Sequence, residues 1–175
     1  MEEKTRQKAN VFSQINSRDS HTNKFLERFI NSHNAVEHSA KWLKSLGCEN
    51  IIIPKPRLAP SHEQWKKYAD NGDLFVGKTR IEVKGLLKKR YWFTKNNEYP
   101  YANWIICAKH SYDMAKPKPY AYLIWNYKRT HVGIVKTNTF NQWKVIKLKD
   151  PNYDRPEDMY VIDKRMVEVR HYFEI

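Results

Sequence analysis

Three side chains in one short stretch carry the chemistry that this sequence offers. They are Asp73, Glu82 and Lys84, in the run from Asp73 to Gly85. Two carboxylates held about a metal's width apart repel each other, and a hard divalent cation relieves that repulsion. Mg²⁺ favours oxygen ligands, keeps several waters and is usually held by one or two carboxylates. Such an ion activates a water and neutralises charge on a phosphodiester. A neighbouring ammonium can orient that water or stabilise negative charge as it develops.

The flanking residues say how the three are positioned. The apolar runs Leu74-Phe75-Val76 and Ile81 with Val83 flank Gly77-Lys78, which reads as a tight hairpin. The spacing predicts strands over 73–76 and 80–86, paired antiparallel. Alternation along the second strand turns Ile81 and Val83 one way and Glu82 and Lys84 the other. The hairpin then brings Asp73 back beside Glu82. The same stretch also suits an ordinary hairpin with a solvated cross-strand ion pair. Glu-x-Lys spacing by itself is cheap, since Glu2-Glu3-Lys4 repeats it in a charged tail. Asp70 competes with Asp73, which is preferred because it directly precedes the apolar run.

The pattern from Asp73 through Glu82 to Lys84 resembles the PD-(D/E)XK nuclease superfamily. The resemblance implies an α/β domain with a restriction-endonuclease-like fold: a mixed central β-sheet flanked by helices on both faces. It implies that Asp73 and Glu82 hold Mg²⁺ or Mn²⁺, with the backbone carbonyl of Val83 as a further ligand. Lys84 would assist hydrolysis of a phosphodiester bond. Gly72 stands where the family name has proline. Many relatives act as dimers, which leaves a homodimer open.

The composition fits a partner of this kind. The chain has 175 residues, a formal net charge of +13 and 14% aromatic residues. Its pI of about 9.7 invites polyanions. Cys48 and Cys107 sit in apolar settings and read as free thiols of a reducing compartment. No apolar stretch approaches a membrane span and no signal-peptide core opens the chain, so a cytoplasmic protein without a membrane partner is expected.

Residues 1–20 read as a flexible basic arm and residues 21–175 as one domain. From about Asn23 to Gly47 the pattern is helical. Asn34 followed by Glu37 fits a capping box, so a fresh helix is expected there, with Gly47 just past its end. Glu37 is open to two roles. It caps its helix, or, as the resemblance implies, it joins the metal shell. Asn50 to Ile53 reads as a buried strand, and Ser61 starts a short helix with Trp65 and Tyr68.

Beyond the motif strand, Lys88, Lys89, Arg90, Tyr91, Trp92 and Lys95 interleave cations with aromatics. Cations meet phosphates and rings stack on bases, so these residues are expected to bind nucleic acid. A continuing strand with an apolar core face fits the same residues. Strands are expected over 104–108, 120–125 and 132–135, the last two as partners. A short helix should run from Asn138 or Thr139 to Trp143, and Val145-Ile146 is open between strand and helix exit. Residues 159–162 and 166–169 should form a terminal hairpin.

Other chemistries fail on single residues. His62-Glu63 opens a zinc-protease motif, but Lys66 stands where its second histidine belongs. No P-loop, dinucleotide fingerprint or nucleophile elbow occurs. Two readings remain: a Mg²⁺-dependent nuclease acting on DNA, with RNA and endo- or exonucleolytic action left open, and a non-catalytic nucleic-acid-binding domain of the same fold.

Overall fold

The structure, a computed structural model, describes residues 20–55, 72–149 and 156–172, with only the backbone for residues 20–26, 28 and 29. The expected arm up to residue 19, the helix from Ser61 with Trp65 and Tyr68, and the competing Asp70 lie outside the described residues.

Helix α1 runs unbroken over Ser20–Ser45. No glycine or proline interrupts that stretch. The expected fresh start at Asn34 is therefore corrected: Asn34 and Glu37 lie within one helix. An asparagine inside a helix costs only about 0.7 kcal/mol, less than abandoning backbone hydrogen bonds to restart. Ala35, Val36, Ser39, Trp42 and Leu43 form the buried stripe. The helix ends as expected at Gly47, whose φ is +86°. Cys48 N–H donates to Leu43 O and Gly47 N–H to Lys44 O, the paired bonds of a glycine-terminated helix.

Strands β1 (Ile51–Ile52), β2 (Leu74–Val76), β3 (Thr79–Gly85), β5 (Ala121–Trp125), β6 (His131–Lys136) and β9 (Glu168–His171) form one sheet in the order β1-β2-β3-β5-β6-β9. Only β3 and β5 pair in parallel, so the sheet is mixed. Strands β4 (Asn103–Ala108), β7 (Lys144–Lys149) and β8 (Pro156–Asp163) form a second, antiparallel sheet with β8 in the centre. A six-residue helix α2, Lys109–Met114, packs beside β4 and β8.

Strand alternation divides the interior into two cores. Ile81, Val83, Leu123, Trp125 and Val132 meet α1 on one face of the six-stranded sheet. Tyr122, Ile124 and Val135 meet Trp104, Ile106, Tyr160 and Ile162 of the second sheet on the other. The expectation of helices on both faces is thus corrected among the described residues. One face carries α1 and the other carries a sheet. At Gly133 the two sheets approach so closely that an added Cβ would overlap the Trp104 indole. On the helix side, Trp125 Nε1–H donates to buried Ser39 Oγ at 2.7 Å. Gly85 lies under α1, where a Cβ would come within 2.9 Å of Ala35 Cβ.

Three further expectations change. Strand β1 is a two-residue edge strand whose Ile52 is exposed, so it is not buried. The expected terminal hairpin does not form, because β8 pairs with β4 and β7 while β9 pairs with β6. The turn Lys164–Met166 instead carries the chain from one sheet to the other, anchored by buried Val167. After Gly85 the chain leaves the sheet, and Lys89–Tyr91 form one turn of 3₁₀ helix instead of a strand. Buried Phe93 pins this segment, and its carbonyl accepts from Asn126 Nδ2 at 2.9 Å. Residues 137–142 are also 3₁₀, and Val145-Ile146 belong to β7.

Candidate active site

The hairpin forms as its glycine turn dictates. Val76 pairs with Thr79, Phe75 with Arg80 and Leu74 with Ile81. The same register, extended one step beyond the last pair, sets Asp73 across from Glu82. Directly opposed residues of an antiparallel pair hold their Cβ atoms about 5 Å apart. Asp73 Oδ2 accepts the Val83 N–H at 2.8 Å, doing for β3 what the ladder does where β2 continues. The N–H and C=O of one strand residue point to the same side, so the Val83 carbonyl also turns toward the Asp73 side.

Arg80, Glu82 and Lys84 alternate with Ile81 and Val83, and so face away from α1, toward the second sheet. Glu82 Oε1 accepts from Arg80 Nε at 2.7 Å, and the Arg80 side chain is only 2% exposed. Arg80 Nη1 also donates to Pro117 O at 3.4 Å. Burial lowers the pKa of the Lys84 ammonium from its ordinary value, while Cys107, Glu157, Glu82 and Asp73 pull the other way. Desolvation thus outweighs the neighbouring charges. Burial likewise raises the Cys107 thiol, which is hydrogen-bonded to Tyr122 and close enough to feel Lys84. Tyr122 lies across from Glu82 in the parallel ladder.

Glu37 is not brought to this cluster. Its position between Ala35 and Ser39 turns it to the outer side of α1, where Oε1 lies 3.4 Å from His33 Nε2. Helix α1 covers the Ile81 and Val83 face, whereas Glu82 and Lys84 occupy the other. Among the described residues no group of three or more His, Cys, Asp and Glu side chains is placed to hold a metal. Among the described residues, a metal at this hairpin would rest on two carboxylates and a carbonyl, a sparse set of hard oxygens of the kind Mg²⁺ accepts.

Lys88, Lys89, Arg90, Trp92 and Lys95 are exposed and Tyr91 is half-buried, all in the segment that leaves β3. The sequence reading missed Arg80, although its i, i+2, i+4 spacing with Glu82 and Lys84 marks one strand face. Cys107 and Tyr122 arrive from β4 and β5 and carry no local signal. Among the described residues no helix is long and apolar enough to cross a membrane. Compared with protein-family models, curated proteins and solved structures, the chain matches none.

Proposed function

We propose that this protein is a metal-dependent nuclease with a restriction-endonuclease-like core that hydrolyses phosphodiester bonds in DNA. The observation that carries this reading is the hairpin itself, whose register and Asp73–Val83 hydrogen bond bring Asp73 to Glu82, with Lys84 two residues on along the same face. Asp73, Glu82 and the Val83 carbonyl would hold Mg²⁺ or Mn²⁺. Asp73 is held beside β3 by the bond its Oδ2 accepts from the Val83 N–H. The bound ion would supply an activated water and neutralise phosphate charge. Lys84 stabilises negative charge as it develops at the phosphate. Arg80 holds Glu82 in one orientation.

A second reading, a nucleic-acid-binding domain without catalysis, is favoured by the Arg80–Glu82 pair itself. That buried guanidinium already offsets the Glu82 charge. The experiment is Mg²⁺-dependent cleavage of DNA by the wild type and by Asp73→Asn and Glu82→Gln. The amide variants are chosen because the carboxamide oxygen in Glu82→Gln would still accept from buried Arg80, whereas removing one partner of a buried ion pair costs about 3–5 kcal/mol. Cleavage by the wild type that excess chelator abolishes, and that both variants lose while staying folded by circular dichroism, is the expected result. Full activity in Asp73→Asn sinks the site, and a wild type inactive on every DNA topology favours the binding domain.

A further inference from the structure

Two loops that leave the carboxyl ends of the parallel strands β3 and β5 meet on one surface. Leu86 N–H donates to Trp125 O, and Tyr127 N–H donates to Tyr91 O at 3.1 Å. This bond sets residues 90–92 beside residues 127–128. Trp92, Tyr101 and Tyr127 are exposed, whereas Trp42, Trp104, Trp125 and Trp143 are buried. Two of these exposed rings, Tyr101 and Trp92, lie beside a cation. The Arg90 guanidinium lies 5.1 Å from the Tyr91 ring centre and 5.9 Å from that of Tyr101. The Lys128 ammonium lies 5.5 Å from the Trp92 ring centre, and His131 meets the same ring edge-on at 6.4 Å.

A solitary exposed aromatic needs no explanation. Several of them clustered, with Arg90 and Lys128 among them, on a chain of net charge +13 are complementary to a ligand that is both polyanionic and flat-faced. Duplex DNA offers the charge but hides its base faces in the stack. A single strand offers both, and base–aromatic stacking tolerates any sequence.

We infer that this surface binds single-stranded DNA, with a base stacked on Trp92 and the backbone following Arg90 and Lys128 past Tyr101 and Tyr127. The choice of DNA rests on the nuclease reading: a site that supplies its own water has no need of a ribose 2′-hydroxyl. The surface adds Tyr101, Tyr127 and Lys128 to the expected binding residues.

The test is tryptophan emission of the full chain in chelating buffer, titrated with oligothymidylate, with oligouridylate, with a duplex of equal length and with heparin. A Trp65→Phe background removes the tryptophan outside the described residues. Oligothymidylate should quench emission and bind at least tenfold more tightly than the duplex. Trp92→Ala should lose the quench and about tenfold in affinity. Trp92→Phe should lose the quench while keeping most of the affinity, because a ring still stacks. Wild-type affinity in Trp92→Ala, duplex or heparin binding as tight as the single strand, or quenching by oligouridylate alone overturns the inference. The two readings fail separately. A protein that cuts DNA in Mg²⁺ without the quench keeps the nuclease and loses this surface. Quenching without any cleavage keeps the surface and removes the nuclease.

Discussion

Lys84 is a cation held where cations are disfavoured. Its neighbours Asp73 and Glu82 attract the charge, yet desolvation dominates and the folded-state pKa is lowered. As pH rises, Lys84 therefore loses its proton earlier than an ordinary lysine. If the charged form assists hydrolysis, turnover should fall through that alkaline window. Stability should move the opposite way. Between the folded and unfolded pKa values the unfolded chain binds more protons, so the free energy of unfolding rises with pH. Lys84→Met should remove both limbs, leaving a folded protein with turnover reduced by orders of magnitude. Parallel pH–rate profiles and urea titrations read the two slopes, and equal slopes in wild type and Lys84→Met would refute the assignment.

At the scale of elements, the site depends on how the six-stranded sheet is clamped from both sides. Asn31 Nδ2 donates to Gly85 O at 2.9 Å and ties α1 to the end of β3. On the other face the six-membered ring of Trp104 of β4 closes on Gly133 of β6, and the indole stacks on Tyr99 with ring centres 4.2 Å apart. Trp104 Nε1–H donates to Asn96 O, so the indole is fixed at its far edge as well. A methyl group at position 133 has no room, and the ring has little freedom to yield. Gly133→Ala should cost about 3 kcal/mol in urea unfolding, the upper end of ordinary overpacking. Adding Trp104→Leu should recover part of that loss, as a positive coupling in a double-mutant cycle. Additive costs would show that the two sheets can slide apart at this point.

For the molecule as a whole, charge is the dominant property. Lys88, Lys89 and Arg90 stand exposed next to the exposed rings, on a chain with 32 basic and 19 acidic residues. Binding to a single strand should weaken steeply with salt, because each phosphate contact releases counterions. Replacing Lys88, Lys89 and Arg90 together by alanine should flatten the slope of log K against log salt by about 2, as expected for three lost contacts to a single strand. An unchanged slope would move the phosphate path elsewhere on the surface. Trp92→Phe, by contrast, should leave the slope as it was, since stacking releases no counterions.

What the sequence determined by itself was local. Gly77-Lys78 between two apolar runs specifies the β2–β3 hairpin, and strict alternation along β3 specifies that Glu82 and Lys84 share a face opposite Ile81 and Val83. The helix stripe and the Gly47 stop were legible for the same reason, because hydrogen bonds and side-chain periods within a few residues decide them. Pairing between distant strands was not legible. The segments 159–162 and 166–169 have the composition of a hairpin, yet each finds a longer partner in a different sheet. Glu37 stood at a plausible place in the order of elements, but the rotation of α1 about its own axis faces it outward. That rotation is set by Ala35, Ser39 and Trp42 packing on the sheet, not by Glu37. Arg80, Cys107, Tyr122 and Lys128 join their sites from three strands and a turn. Only tertiary structure decides such meetings, because burial rewards the whole arrangement of packed faces and leaves no mark on any single stretch of chain.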